Sequence, residues 1–244
     1  MSVTVSTTLI WHVRKLYDDS LNYLVSQRGV RYGINGYTDH AIPAYVMAVA
    51  AVEAFINESF LSDVTRMFYK ESPLWKLQTD WLEKLDLNIK LVLVPYLLFG
   101  QSFARDQQPY QDMSLLIRVR NLFVHYKMTS TPPAFLQTLD DRRISLVAPR
   151  APDHADFFWA HKLSSTEGIR WANNTACDIV HGLVDFIPRD KAHPTASHMV
   201  KNFTVIKESY TRDWLTNKGI DPDSNHPPNS EEVSKKVKHK PKKE

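Results

Sequence analysis

The stretch from Ala44 to Tyr69, AYVMAVAAVEAFINESFLSDVTRMFY, constrains this chain more than any other. It is rich in Ala, the strongest helix former, and its apolar residues recur on several faces of a 3.6-residue period. A helix that is apolar nearly all round has no face suited to water and belongs in the middle of a bundle. It is expected to begin near Ala41, with Pro43 in the first turn, where a missing N–H costs little. The chain has only seven glycines in 244 residues, which disfavours tight-turn β architectures and Gly-rich phosphate loops. The fold class that follows is all-α.

The rest of the chain supplies partners for that central helix. Leu9, Val13, Leu16, Leu21, Leu24 and Val25 predict an amphipathic helix over 8–28, and RYGINGYTDH (31–40) reads as a loop. A short helix is expected over 74–85, around Trp75 and Trp81. Another is expected over 87–100, bent or broken near Pro95. QSFARDQQPYQD (101–112) reads as a loop with Asp112 as N-cap of a helix over 113–128, stopped by Thr131-Pro132-Pro133. RISLVAP (143–149) fits a short strand or an extended loop. Ser164-Ser165-Thr166-Glu167 opens a helix over 167–187, and 199–217 reads as one more helical piece. From Asp221 the chain is polar and Lys-rich, too poor in apolar residues to order itself.

Net charge is +3, which by itself does not call for nucleic acid. The single cysteine, Cys177, excludes an intrachain disulfide and a Cys-based zinc site, and fits a reducing compartment. The first residues, MSVTVSTTLIWHVRK, lack the basic and apolar regions of a secretory leader. The run IKLVLVPYLLFG (89–100) is too short to span a bilayer. A cytoplasmic protein without a membrane segment is expected, and the sequons at Asn173 and Asn202 read as chance matches. Ten histidines show no HxxxH or HExxH spacing, so no metal and no cofactor is expected.

The polar residues inside the helix over 113–128 need an explanation. Ser114, Arg118, Asn121 and His125 fall within one narrow sector at about 100° per residue. Apolar stripes flank them: Met113, Leu116, Ile117 and Val124 on one side, Leu115, Val119, Leu122 and Tyr126 on the other. Such a strip suits a cleft. Arg120 lies at the edge of the first stripe, about 140° from His125 on an ideal helix, so the two do not share a face. Two copies of the helix across a two-fold axis would bring Arg and His together. The chemistry is coherent for RNA: histidine moves protons near neutral pH, arginine grips phosphate with a planar fork, and the 2′-OH is a built-in nucleophile. Asn121 could orient the imidazole or bond a phosphate oxygen. The same pattern also suits a solvated or satisfied core strip, since R-x4-H is common by chance.

Arg120-Asn121-Leu122-Phe123-Val124-His125 resembles the R-x4-6-H signature of HEPN domains, and with Tyr126-Lys127 it resembles the common form RNxxVHYK. AVEAFINE (51–58) resembles an earlier helix of that family, and PYQD the approach to its motif helix. The resemblance covers roughly residues 40–190. It implies an up-and-down bundle of four or five helices, commonly a homodimer with the motif near the dimer cleft. Many members are metal-independent endoribonucleases that leave 2′,3′-cyclic phosphates, acting in phage defence, as toxins or in stress responses. Others are non-catalytic modules that bind RNA, a nucleotide or a protein partner in the same cleft. This chain is longer than the short toxins of two-component systems. Carried over, Arg120, Asn121 and His125 are the catalytic set and Arg118 a substrate-binding residue. The expected layout is an N-terminal helix and loop (1–36), the helical domain (37–190), a helical extension (191–220) and a disordered tail (221–244). RNA, a second copy of the chain and a regulatory protein are the expected partners.

Other residues carry weaker readings. Glu53 and Asn57, one turn apart on the central helix, could support the site by pairing Glu53 with Arg120, or could simply face solvent. His154 and His161 bracket the aromatic patch Phe157-Phe158-Trp159. His181 follows Cys177 by one turn, but with no third orienting group or oxyanion loop Cys177 reads as a small core residue. The lysines of KKVKHKPKKE (235–244) read as a solubilising tail or a non-specific phosphate contact.

Overall fold

The computed structural model describes residues 4–26, 38–64, 81–125, 133–145, 162–188 and 200–207. Among them the structure is a helical bundle with no strand. Helix α1 spans Val5–Ser26; α2 (Ala41–Phe55) continues directly into a π-helical segment (Ile56–Val64). Then come α3 (Leu87–Phe99), α4 (Tyr110–Val124), α5 (Leu136–Asp141) and α6 (Thr166–Asp185). The all-α class read from the sequence is the one observed. The chain forms two compact units.

The first unit comprises Met1–Arg14, Pro43–Tyr126 and Ala172–Ile206. Its centre is α2 and the π segment, where no residue from Pro43 to Leu61 is exposed. Ala44, Ala48 and Ala51 recur at helical spacing with Val52 and Phe55, and all are fully buried. The stretch Ala41–Leu61 is long and apolar enough to cross a bilayer, but 61% of its most apolar window is already buried inside the protein, as for a core helix. Phe55 packs against Phe60 and, edge to face at 5.4 Å, against Phe203; Phe60 packs edge to face on Phe99. These aromatic contacts tie the π segment to α3 and to the chain after α6.

Two polar contacts set the orientation of the helices around that core. Glu58, in the π segment, accepts from the backbone N–H of Val5 (3.0 Å) and Ser6 (3.3 Å) and from Ser6 Oγ (2.9 Å). It thus places a carboxylate on the orphan donors and positive dipole end of α1. The second contact is Lys90 of α3, which has no exposure at all. Its ammonium donates to Glu53 Oε1 at 3.2 Å and to Asn57 Oδ1 at 3.1 Å. The sequence suggests Glu53 as a partner of Arg120; the structure pairs it with Lys90.

Pro95 lies inside α3, and the helix is nonetheless unbroken from Leu87 to Phe99. The proline removes one backbone hydrogen bond. Burial of Leu87, Leu91 and Val94, together with the Lys90 contacts, outweighs that loss. Asp86 caps the helix start through the Asn88 N–H at 2.8 Å, and Gly100, in the left-handed region at φ 69°, closes its end onto the Tyr96 carbonyl at 2.9 Å. The buried face of α1 follows the predicted stripe only at Val13. Ile10, Val13 and Tyr17 are buried, whereas Leu9, Leu16 and Leu21 are only half-buried. Leu24 and Val25 lie outside the residues whose side chains are described.

Residues 203–207 are not helical, which corrects the helix expected over 199–217 for that part; 208–217 lie outside the described residues. Residues 203–207 run as an irregular strap held by side chains of α6, which supply hydrogen bonds in place of those a helix makes internally. Asn173 Nδ2 donates to the Thr204 carbonyl (3.1 Å), and Asn174 both donates to the Ile206 carbonyl (3.1 Å) and accepts from its N–H (2.7 Å). His181 Nε2 lies 2.8 Å from the Phe203 carbonyl. A carbonyl only accepts, so Nε2 carries the proton. Burial of Phe203 and Ile206 supplies the apolar part of the contact. Asn173 is itself fully buried, in keeping with its sequon being a chance match. At Gly182 an added Cβ would come within 2.7 Å of the Phe103 ring, so glycine lets Phe103 lie directly on α6 and meet Phe186, with ring centroids 4.9 Å apart. This fixes the loop that leads into α4.

The second unit comprises Lys15–Ile42, Lys127–Trp171 and Lys207–Glu244. Its described contacts centre on buried hydroxyls. Ser165 Oγ donates to the Ile144 carbonyl and accepts from the Gly168 N–H (2.8 Å), capping α6 as the run Ser164–Glu167 predicts. Ser145 Oγ donates to Asp140, which also pairs with Lys162 at 3.2 Å. The Thr38 N–H donates to the Ser164 carbonyl (2.9 Å). Arg143, at φ 57°, makes the left-handed turn that brings Ile144 and Ser145 inward. The short helix predicted over 74–85 falls mostly outside the described residues, as do His154, His161, the aromatic patch between them and the Lys-rich tail.

The Lys90 contacts are asymmetric. The ammonium is sealed from water, whereas the Glu53 side chain is 39% exposed and can turn outward. Glu53→Gln leaves a buried cation without its counter-charge and is expected to cost about 3 kcal/mol. Lys90→Met fills the same space without charge and is expected to cost about 1 kcal/mol. Urea unfolding of the two variants measures the order, and a larger loss for Lys90→Met would contradict the assignment.

Candidate functional site

Helix α4 carries the RNLFVH run at its C-terminal end. It begins at Tyr110 rather than after Asp112, so Asp112 sits in the first turn, where its charge suits the helix dipole, and is not the N-cap. The first three turns are buried on both sides: Met113, Leu116 and Ile117 on one stripe, Leu115 and Val119 on the other. Tyr45 of α2 stacks on Phe123 with ring planes 6° apart and centroids at 6.2 Å. Beyond this contact the helix emerges, and Val124 and His125 are exposed.

The polar strip therefore lies at the surface of the first unit. Ser114 and Asn121 are half-buried, and Arg118 and His125 are exposed. His125 does not continue the helix. It is the C-cap residue, at φ −115° and ψ 39°, with its N–H still bonded to the Asn121 carbonyl at 2.9 Å. His125 thus stands at the cap and outside the regular helix, so the 140° separation of an ideal helix is not imposed on Arg120 and His125. Along the axis the two are about 7 Å apart.

Arg120 is half-buried, and its Nε is shielded from solvent with no hydrogen-bond partner among the described residues. An unsatisfied buried donor is costly, and on a cation it is a group in want of an anion. Glu53, the carboxylate the sequence offers for it, is engaged by Lys90. The structure thus sets Arg120 and Asn121 near the C-terminal end of α4 and His125 at its cap, places Arg118 in solvent one turn earlier, and assigns Glu53 to the core contact with Lys90.

Cys177 is fully buried on α6, with Asn173 Nδ2 3.7 Å from its sulfur. Burial first, and the charge of Asp178 second, push its thiol up to about 12. It is a core residue and not a nucleophile, as the sequence suggests. A second titratable group escapes sequence reading, because it depends on packing between helices. Solvent reaches the Asp178 carboxyl, yet its pKa is raised, first by partial burial, with Asp112 of α4 adding repulsion and His181 opposing it. Among the described residues no group of three or more His, Cys, Asp or Glu is placed to hold a metal ion.

No family model matches the chain, and neither does any curated protein or solved structure.

The raised Asp178 gives a signed expectation. A carboxyl whose folded pKa lies above its unfolded value favours the folded state below the unfolded pKa and loses that contribution as pH rises through the folded one. Asp178→Asn is therefore expected to stabilise at pH 7, by about 0.5 kcal/mol or less given its exposure, and to have no effect near pH 3. Thermal melts at the two pH values measure this; stabilisation that is larger at pH 3 would contradict it.

Proposed function

We propose that the chain is a HEPN-type, metal-independent endoribonuclease that works as a homodimer in a cytoplasmic defence or stress setting. The observation that carries the reading is Arg120, a half-buried guanidinium with an unpartnered Nε, on the same helix end as the exposed His125 and the half-buried Asn121. Arg120 binds the scissile phosphate and offsets the charge that builds on it. His125 takes the 2′-OH proton or returns one to the leaving 5′-oxygen. The 2′ oxygen bonds to phosphorus as the 5′ P–O bond breaks, which leaves a 2′,3′-cyclic phosphate. The nucleophile belongs to the substrate, so the reaction draws on protein groups alone. Asn121 steadies the site and Arg118 contacts the RNA backbone from solvent. A second copy completes the site by setting His125 of one chain against Arg120 of the other.

A non-catalytic module that binds RNA, a nucleotide or a regulatory protein is the competing reading. It would be favoured by Arg120 locked on Glu53 and His125 packed shut, and neither arrangement is present.

The test is cleavage of a mixed RNA pool in EDTA. The wild type is expected to cut and to leave cyclic phosphates, and His125→Ala to be slower by about 100-fold or more. Arg120→Lys keeps the charge but loses the planar fork, and is also expected to be impaired. No cutting by folded wild type would favour the module. Equal cutting by wild type and His125→Ala would place the chemistry elsewhere.

A further inference from the structure

Helix α3 is built inside out. Its 13 residues contain one charge, Lys90, and that charge faces the core, fully buried against Glu53 and Asn57. The side turned away from the buried Leu87, Leu91 and Val94 is apolar and open, with Lys90 just beyond its edge. Ile89 is 49% exposed, Tyr96 60% and Leu97 48%, with Val92 and Leu93 half-buried between them. At about 100° per residue these five fall within an arc of roughly 140°, and no charged residue shares it. The exposure is not a loose fit: rolling α3 to bury this face would carry the Lys90 ammonium out of its two hydrogen bonds. The contact that holds the charge inside therefore holds the apolar face outside.

We propose that this face of α3 is the surface through which two copies of the chain associate. Charge favours a second copy. The chain carries a net +3, and on this uncharged face two copies meet without opposing like charges. A two-fold axis across it sets Ile89, Leu93, Tyr96 and Leu97 against their own equivalents with no like charges opposed. A strongly charged partner would lose hydration there with nothing to replace it. Scaling typical side-chain areas by these exposures gives roughly 400 Å² for the five residues, about half of what each partner brings to a standard interface and close to the apolar share of it. Trp81, six residues before the helix and 74% exposed, adds the kind of aromatic that anchors such contacts. A bilayer fits less well: 13 residues span about 20 Å, short of the hydrocarbon core, and an interfacial helix carries basic residues on its open side that α3 lacks.

The inference deepens the ribonuclease reading and rests on it for the homodimer; the face that carries the dimer is read from mass and not from cleavage, so the α3 variants can fail it while that reading stands. Sedimentation of the full chain over a concentration series is the test. The wild type is expected at about twice 28.2 kDa. Ile89→Glu combined with Leu97→Glu is expected to weaken association by at least 100-fold, with helicity and urea midpoint kept, since both positions are about half exposed. Val5→Glu combined with Trp11→Glu, at exposed apolar positions of α1, is expected to leave the dimer intact. A wild type that stays monomeric to about 100 μM would overturn the proposal, being well above the dissociation constants of stable interfaces. So would a folded α3 variant that still dimerises, or a dimer lost to the α1 substitutions instead.

Discussion

A lysine ammonium taken out of water must be satisfied where it stands, because no side-chain motion can return it to solvent. Lys90 meets that demand with two acceptors from one neighbouring element, Glu53 in α2 and Asn57 in the π segment that continues it. This three-residue contact sets the rotation of α3 about its own axis, and it holds the junction between α-helical and π-helical geometry on one fixed partner. The π segment in turn carries Glu58, which caps α1, and Phe60, which packs on Phe99. The arrangement of three elements thus passes through one buried charge.

The candidate site depends on this core indirectly. Tyr45 of the central helix stacks on Phe123, which seats α4 one turn before its end. Phe103, lying on α6 where Gly182 leaves room, fixes the loop through which α4 is entered. With both ends located, the polar residues after Val119 have nowhere to go but outward. Arg120 is caught at the margin, half-buried with an unmet Nε, and His125 stands exposed at the cap. A fully buried helix would have forced such groups to be satisfied internally, and a fully exposed one would have surrounded them with water. The margin is where a guanidinium stays available to an anion.

The central helix was legible because Ala and apolar residues on every face leave a single environment that suits them. The α6 cap was legible because Ser-Ser-Thr-Glu is a local signal acting within one turn. Misreadings arose where distant contacts overrule local preference. Pro95 reads as a bend or a break, and burial with the Lys90 contact carries the helix through without a break. The piece after residue 199 reads as helix, but over 203–206 Asn173, Asn174 and His181 offer its backbone other partners. Glu53 reads as a partner for Arg120 because both lie near the expected site. Nothing in the sequence shows that Lys90, set in an apolar run, points inward and arrives first. The Arg120-Asn121-His125 constellation was legible as a motif, while the departure of His125 from helical geometry was not, since a cap conformation depends on how the chain leaves the helix.

The most direct test of the central claim, that two copies complete one site from Arg120 of one chain and His125 of the other, is complementation between inactive variants. Arg120→Ala and His125→Ala proteins are dissociated, mixed and allowed to reassociate, and RNA cleavage is followed in EDTA. Each variant alone is expected to be inactive. The mixture is expected to regain about a quarter of the wild-type sites, because half of the dimers are mixed and each of these holds one intact pair. An active wild type whose variants form mixed dimers without any recovery of cleavage would contradict the shared site.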